Sequence, residues 1–209
     1  MARRGNGEIN AGSMADIAFL LLIFFLVTTT MDVDSGIARK LPEKTEDTPE
    51  VIIKEKNVLD IVVNRNNQLL VENEFVEISD IKQLALDFID NGGGMSNAVD
   101  DKPAEPCDYC RGNKNIESSD HPTKAVISLQ SDRGTDYGVY ISIQNEIEAA
   151  YNELRSRLSV ELYGRTYKEL LKDYKDENSK SKMESIKDKI DNLKAKYPQI
   201  IAEPDPIKS

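Results

Sequence analysis

The sequence predicts an α+β protein with one N-terminal transmembrane helix, followed by a small extracytoplasmic domain whose helices pack on one face of a sheet. Residues 17–27 are eleven consecutive apolar residues, which indicates the membrane helix. Two β-rich runs then occur within 58–72, and helical apolar spacing recurs at 79–89 and 140–158. Strands alternating with helices in this order are typical of an α+β domain.

The overall composition excludes several classes of protein. The 209 residues include 27 basic and 37 acidic ones, so the formal net charge of −10 argues against nucleic-acid binding. Two cysteines and one histidine cannot build a four-ligand Cys/His zinc site, and we expect no metal centre. No hydrolase, metalloprotease or P-loop motif is present. We therefore expect a protein that is not an enzyme.

The predicted transmembrane helix covers residues 11–31, after a short cytoplasmic N-terminus at 1–10. Twenty residues at about 1.5 Å each span roughly the 30 Å hydrocarbon core of a bilayer. A cleaved secretory signal is the alternative, because Arg3 and Arg4 resemble its basic start. Residues 28–31 offer no pair of small residues for cleavage, which favours an uncleaved anchor.

The charges on either side of this helix predict its orientation. Arg3 and Arg4 precede it, whereas Asp32 and Asp34 follow it. Because positive residues remain on the cytoplasmic side, the N-terminus is expected in the cytoplasm. The rest of the chain then lies outside, which for a bacterial inner membrane is the periplasm.

Asp16 is the one charged residue of the predicted span and its leading functional candidate. An ionisable residue at membrane depth usually faces a bundle interior or a wet cavity and marks a proton or ion path. Helical spacing places Ser13 and Leu20 near the same stripe. The alternative is that Asp16 only reaches out to the nearby interface. A single helix cannot enclose a proton path, so the first interpretation requires a partner membrane protein.

Three features together resemble the ExbD/TolR family of bacterial proton-driven motor subunits. These are the pair Ile9-Asn10, the aspartate six residues later at Asp16 within an apolar run, and the pair Leu41-Pro42 after the span. The family typically has Thr-Pro where this chain has Gly12 and Ser13. The resemblance implies a single-pass inner-membrane subunit and no cofactor other than protons as the coupling ion.

The resemblance also implies partners and roles for individual residues. Two such helices, from a homodimer, would lie inside a ring of a multi-span ExbB/TolQ-like protein, and Asp16 would take up and release protons. The proton-coupling role falls on Asp16 alone. Ser13 and Thr28 are further candidates to line the pore, but for Thr28 a hydrogen bond from its hydroxyl to its own helix carbonyls is favoured.

Residues 32–50 read as an extended linker, because they are rich in charge and contain two prolines. In the family this segment can pair as a strand, which here would involve Ile37, Leu41 and Pro42. The load would be a TonB-like or Tol-like energy-transducing protein or peptidoglycan, with TonB-dependent uptake favoured. The alternative function is a membrane-anchored periplasmic binding protein, for example one that binds peptidoglycan, without proton coupling.

The extracytoplasmic α+β domain is expected at residues 51–166. Asparagines at 64–67 tolerate the left-handed turn conformation, so the flanking runs predict a hairpin. Ser79 is expected to cap the first helix, and a further strand precedes the second helix. The predicted elements are strands at 58–63, 68–72 and 125–129, and helices at 79–89 and 140–158.

Two further segments extend this domain. An insertion loop at 91–124 contains Cys107 and Cys110, for which a local disulfide is favoured over free thiols and over a metal or redox site. A charged helical extension at 167–209 has apolar residues spaced by three and four up to Tyr197, which predicts a helix docked on the domain rather than a coiled coil. Residues 197–202 are expected to add an edge strand.

Overall fold

The computed structural model describes residues 11–29, 53–98, 103–177 and 179–206, without the side chains of residues 11, 13 and 26–29. The chain divides into two compact units, Met1–Pro49 and Glu50–Ser209. The first contains helix α1, and the second contains the mixed α+β fold.

Helix α1 comprises Ala11–Thr29. Its composition favours a helix, because it contains no proline and is rich in leucine and alanine. Its large apolar side chains are exposed, including those of Phe19, Leu22 and Phe25. Within the part of the chain that the structure describes, no helix has the combined length and apolar character that identifies a membrane span. The predicted helix is therefore present as a helix, and its insertion into a membrane stays a prediction.

The second unit contains a five-stranded mixed sheet of order β3-β2-β1-β4-β5. Central strand β1 is antiparallel to β2 and parallel to β4, whereas β3 and β5 form the two edges. The strands are β1 (Val58–Val63), β2 (Leu69–Val71), β3 (Glu74–Val76), β4 (Val126–Ser131) and β5 (Ile201–Ala202).

Polar residues set the register of the two hairpins. The Asn64 side-chain carbonyl accepts the backbone N–H groups of Asn66 and Gln68, each over 2.9 Å, and so closes the β1–β2 turn. The β2–β3 turn consists of Glu72 and Asn73, both with positive φ (50° and 71°). Two consecutive positive φ values are the requirement of the tight turn whose twist suits a hairpin.

The core lies on one face of the sheet. Leu59, Ile61 and Val63 alternate along β1 and are buried, whereas Asp60 between them is exposed. Helices α2 (Ile78–Ile89) and α3 (Tyr137–Tyr163) contribute to the same hydrophobic cluster. The two helices therefore pack on the face that β1 buries.

Local sequence explains the limits of α3. The Asp136 carboxylate accepts the N–H of Gly138 over 2.8 Å and caps the first turn. Gly164 ends the helix with φ of 68°, a conformation that is costly for a residue with a Cβ.

The C-terminal extension packs on α3 and adds to the sheet. Helix α4 (Tyr167–Asp176) begins with a reciprocal capping box between Thr166 and Glu169. Helix α5 (Lys180–Lys196) buries Leu193, and the chain then reaches β5 beside β4.

The predicted α+β class and its helices on one sheet face are confirmed, with four corrections. One predicted helix after residue 167 is two helices, and α2 is preceded by Glu77 rather than capped by Ser79. Strand β3 is absent from the prediction, because Glu74–Val76 is too short to show alternation. The final strand contains two residues only.

The buried position of α5 makes a prediction. Leu193 is 0% exposed, so Leu193→Ala should destabilise the domain by about 2–5 kcal/mol through lost burial and a residual cavity. Urea unfolding of the purified chain measures this. Lys194→Ala, on the exposed side of the same helix, is the matched control and should change stability by less than about 0.5 kcal/mol. Equal effects of the two variants would contradict the packing of α5 on the domain.

Candidate functional sites: the acidic residue of α1 and the anchored insertion

Asp16, the predicted proton-coupling residue, lies in the second turn of α1 with its side chain exposed. Met14, Ile17 and Leu20 near it on the helix are also exposed. The helix thus carries one carboxylate among apolar side chains. In a hydrocarbon environment such a group would need a polar partner or water.

The other predicted site residues of the first unit cannot be placed in the same way. The backbones of Ser13 and Thr28 belong to α1, but their side chains lie outside the described part of the chain. Ile37, Leu41 and Pro42 lie outside the described residues altogether.

The insertion between α2 and β4 is organised around Asn91, which is buried at the end of α2. Its side-chain amide donates to the carbonyl oxygens of Asn115 (2.8 Å) and Ser119 (2.6 Å). Its side-chain oxygen accepts the N–H of Asn115 over 2.9 Å. The Asn91 side chain therefore satisfies backbone groups of the insertion as far away as Ser119, 28 residues along the chain, which regular strand pairing would otherwise satisfy.

Cys107 and Cys110 form a disulfide within this insertion, and both are buried. Gly92 contacts them so closely that a Cβ at this position would lie 2.7 Å from the Cβ of Cys110, and its φ is +64°. Of the alternatives that the sequence left open, the structure thus contains the disulfide. Among the described residues no group of histidines, cysteines and carboxylates is arranged to hold a metal ion.

Asp120 joins the insertion to the segment before β1. Its backbone N–H donates to the Asn57 side chain over 2.8 Å, and its carboxylate lies 2.5 Å from the Lys56 ammonium. Burial acts to raise the pKa of Asp120, but the bonds from Lys56 and Asn57 outweigh it and lower that pKa. The carboxylate is therefore held ionised as an anchor.

A second anchor connects the end of α2 to the residue that follows α5. The Tyr197 hydroxyl donates to Asp90 over 2.7 Å, and Arg157 of α3 donates to Asp90 (2.6 Å) and to the Tyr197 oxygen (2.9 Å). Burial and the nearby Asp90 carboxylate raise the pKa of Tyr197, so the phenol stays protonated as a donor. The backbone N–H of Arg111, in the insertion, also donates to the Asp90 carboxylate over 3.1 Å.

The backbone of Tyr197 is fixed as well. The Arg155 guanidinium donates twice to its carbonyl oxygen, over 2.7 and 3.1 Å. The same guanidinium lies near the rings of Tyr151 and Tyr167, at 5.5 and 5.7 Å from their centroids. Burial lowers the pKa of Arg155, but the guanidinium stays protonated at neutral pH, as it does for arginines in general.

Tyr109 of the insertion completes the contact with α5. Its hydroxyl donates to the Lys196 carbonyl over 2.8 Å, and its ring meets the Tyr197 ring edge to face at 5.2 Å. The Lys196 ammonium lies 4.3 Å from the centroid of the Tyr109 ring. The insertion is thereby attached to the point where α5 ends.

These contacts brace the fold; they do not resemble an arrangement for catalysis. Sequence reasoning missed Asp90, Arg155 and Arg157, because nothing in a single sequence relates residues such as Asp90 and Tyr197, 107 positions apart. For Tyr197 the sequence predicts only the end of a helical apolar spacing and the start of an edge strand. The position of Asp90 directly after an amphipathic helix was the one available signal. This signal is not specific, because aspartates on the surface also occur at helix ends.

Comparison with known families gives one match. Residues 2–158 match the family described as biopolymer transport protein ExbD/TolR, which is about three quarters of the chain. The match begins before α1 and ends within α3, so α4, α5 and β5 lie beyond it. No individually curated protein matches the chain significantly.

The Tyr197 anchor makes a prediction. Tyr197→Phe removes the donor to buried Asp90 and should destabilise the domain by about 1–3 kcal/mol, because that carboxylate loses a bond that water cannot replace. Thermal or urea unfolding provides the measurement. Tyr137→Phe is the control, since the Tyr137 side chain is 74% exposed. A Tyr197 variant as stable as this control would contradict the anchor.

The disulfide makes a separate prediction. Replacing Cys107 and Cys110 together by serine should lower stability by about 2 kcal/mol, the chain-entropy value for so short a loop. Reductant added to the wild-type chain should reproduce the shift of the urea midpoint and leave the double variant unaffected. A wild-type midpoint indifferent to reductant would show that the bond contributes nothing to stability.

Proposed function

This chain belongs to the ExbD/TolR family of biopolymer transport proteins, and from that premise we propose that it is a subunit of a proton-motive-force-driven complex of the bacterial inner membrane. The complex would energise transport or envelope processes across the cell envelope. The role is energy transduction and not catalysis.

The observation that carries this proposal is the position of Asp16. It is a single carboxylate on an otherwise apolar helix, and that helix lies inside the matched region. A carboxylate in such a place is costly unless it is paired or hydrated, and residues of this kind usually mark a proton or ion path. In this proposal Asp16 binds and releases the coupling proton.

The proposed topology is a single membrane crossing with the N-terminus in the cytoplasm and the α+β unit in the periplasm. The 19 residues of α1 rise about 28 Å at 1.5 Å each, close to a bilayer core. Arg3 and Arg4 before the helix and Asp32 and Asp34 after it support this orientation. The exposed apolar side chains of α1 suit contact with lipid or with other helices.

A proton path requires partners, because one helix encloses nothing. We propose that α1 pairs with α1 of a second copy inside a ring of an ExbB/TolQ-like multi-span protein. Ser13 and Thr28 would supply hydroxyls along the path. Each charge that crosses the potential is worth about 2.3 kcal/mol per 100 mV, so a few protons supply enough free energy to move the helices.

Residues 32–50 would carry this motion to the periplasmic unit as an extended tether. Within it, Ile37, Leu41 and Pro42 are proposed to pair as a strand.

The proposed load is a TonB-like protein, and uptake through a TonB system is favoured over a Tol-like role. The second candidate is a membrane-anchored periplasmic protein that binds peptidoglycan, with no proton coupling. The carboxylate of Asp16 favours the motor, because an anchor would function equally well without it.

Asp16→Asn tests the proposal. Asparagine keeps the size and hydrogen bonding of aspartate but cannot titrate, so growth on a scarce TonB-dependent nutrient, or envelope integrity, should be lost at equal protein level. Co-purification with the ExbB/TolQ-like partner should persist. The phenotype that fails identifies the load.

Two variants control this experiment. Asp16→Glu keeps a titratable carboxyl and should retain part of the activity, whereas Asp60→Asn removes an exposed carboxylate of β1 and should behave as wild type. Full activity of Asp16→Asn would exclude proton coupling through this residue and favour the anchored binding protein.

A further inference from the structure

His121 is the one histidine in the sequence, and it lies at the contact between the insertion and the end of α5. Its side chain is buried, with the residue 5% exposed. The ring meets the Tyr109 ring edge to face, with centroids 5.9 Å apart. No role in the proposed motor uses this residue.

The hydrogen bonds of His121 require a neutral ring. The Thr123 backbone N–H donates to Nδ1 over 3.2 Å, and the Thr123 hydroxyl lies 2.8 Å from the same nitrogen. An Nδ1 that accepts a backbone N–H carries no proton, so the ring is the Nε2–H tautomer. Protonation at Nδ1 would break the bond from the Thr123 backbone N–H, and the Thr123 hydroxyl would become the acceptor of the ring N–H.

The surrounding charges also oppose protonation. Burial lowers the pKa of His121 first, and the ammonium groups of Lys124 and Lys196 lower it further, while Asp108 acts weakly in the other direction. The adjacent Asp120 carboxylate is engaged by Asn57 and Lys56.

Tyr109 connects His121 to the C-terminal elements. The same ring that packs on His121 packs on Tyr197, lies below the Lys196 ammonium and donates through its hydroxyl to the Lys196 carbonyl. A charge on His121 would therefore appear directly beside the contact that holds the insertion on α5. Separation of the insertion from α5 would lower this electrostatic cost, because it exposes the imidazolium to water and moves it away from the Lys196 ammonium.

We propose that His121 is an acid-sensitive latch: its protonation releases the insertion from the end of α5 and loosens the attachment of α5 and β5. The latch is closed with a neutral ring and open with a charged one. This inference does not rest on the proposed motor function, since it concerns contacts within the α+β unit alone.

Linkage gives the direction and range of the effect. The pKa of His121 is lower in the closed state than the ordinary value near 6.5 that it would regain on opening, so the closed state is fully favoured above that value. As the pH falls below about 6.5, the open state binds the proton preferentially, and its population rises up to about tenfold per pH unit. The rise stops once the pH passes below the pKa of the closed state.

The test uses the full chain in detergent between pH 7.5 and 5. The ring resonances of the sole histidine report its titration directly by NMR. Hydrogen exchange of peptides covering 107–124 and 193–202 reports opening, with the peptide covering β1 as the reference for the intrinsic pH dependence of exchange. We expect exchange of both peptides to rise relative to β1 as the pH falls, together with the histidine titration below pH 6.5.

Two variants make the test specific. His121→Asn places a side-chain oxygen where Nδ1 accepts and cannot titrate, so its relative exchange should stay flat with pH. Lys196→Gln removes one opposing charge and so brings the pKa of the closed state nearer to its ordinary value. The histidine titration should then move to higher pH, and the rise in exchange with acid should be smaller than in the wild type. If His121→Asn does not fold, the comparison of Lys196→Gln with the wild type still tests the latch. A wild-type profile that is flat, or that His121→Asn reproduces with the same midpoint, overturns the latch.

Discussion

The bond from the Tyr197 hydroxyl to Asp90, shared with Arg157, is the constraint on which the rest of the second unit depends. It joins the end of α2, the C-terminal half of α3 and the residue after α5, three points far apart in sequence. Asp90 and Tyr197 are buried and Arg157 is partly exposed, so the interactions of the carboxylate are strong, and loss of Arg157 would leave the buried Asp90 charge without its cation. Such a network fixes one arrangement of helices where apolar packing alone would tolerate several.

The insertion and the C-terminal extension are held by this arrangement and in turn support it. Asn91 and the disulfide give the insertion internal order without regular strands, and Tyr109 carries that order to α5. The family match ends at residue 158, yet α4, α5 and β5 share the same core and the same sheet. The extension is therefore an integral layer of the domain, which explains why its apolar seam is not available for a coiled coil.

The proposed chemistry and the observed mechanical order occupy different units of the chain. Asp16 is one carboxylate on an otherwise uncharged helix, whereas the second unit is a sheet with helices held by polar contacts and a disulfide. In the proposed function this division suits energy transduction, because a domain pulled through a tether transmits force best when it does not deform. The buried charge network and the disulfide both oppose such deformation.

The sequence alone determined the features that depend on local pattern: the apolar helix with Asp16, the hairpin at Asn64, the two amphipathic helices and the family resemblance at residues 9–42. Each is encoded in the spacing of neighbouring residues, which follows directly from helix and strand periodicity. Only the tertiary structure decided the parallel pairing of β1 with β4, the edge strand β3, the break between α4 and α5, and the meeting of Asp90, Arg157 and Tyr197. These depend on contacts between distant residues, and a single sequence contains no physical signal that specifies which distant polar groups will be buried together.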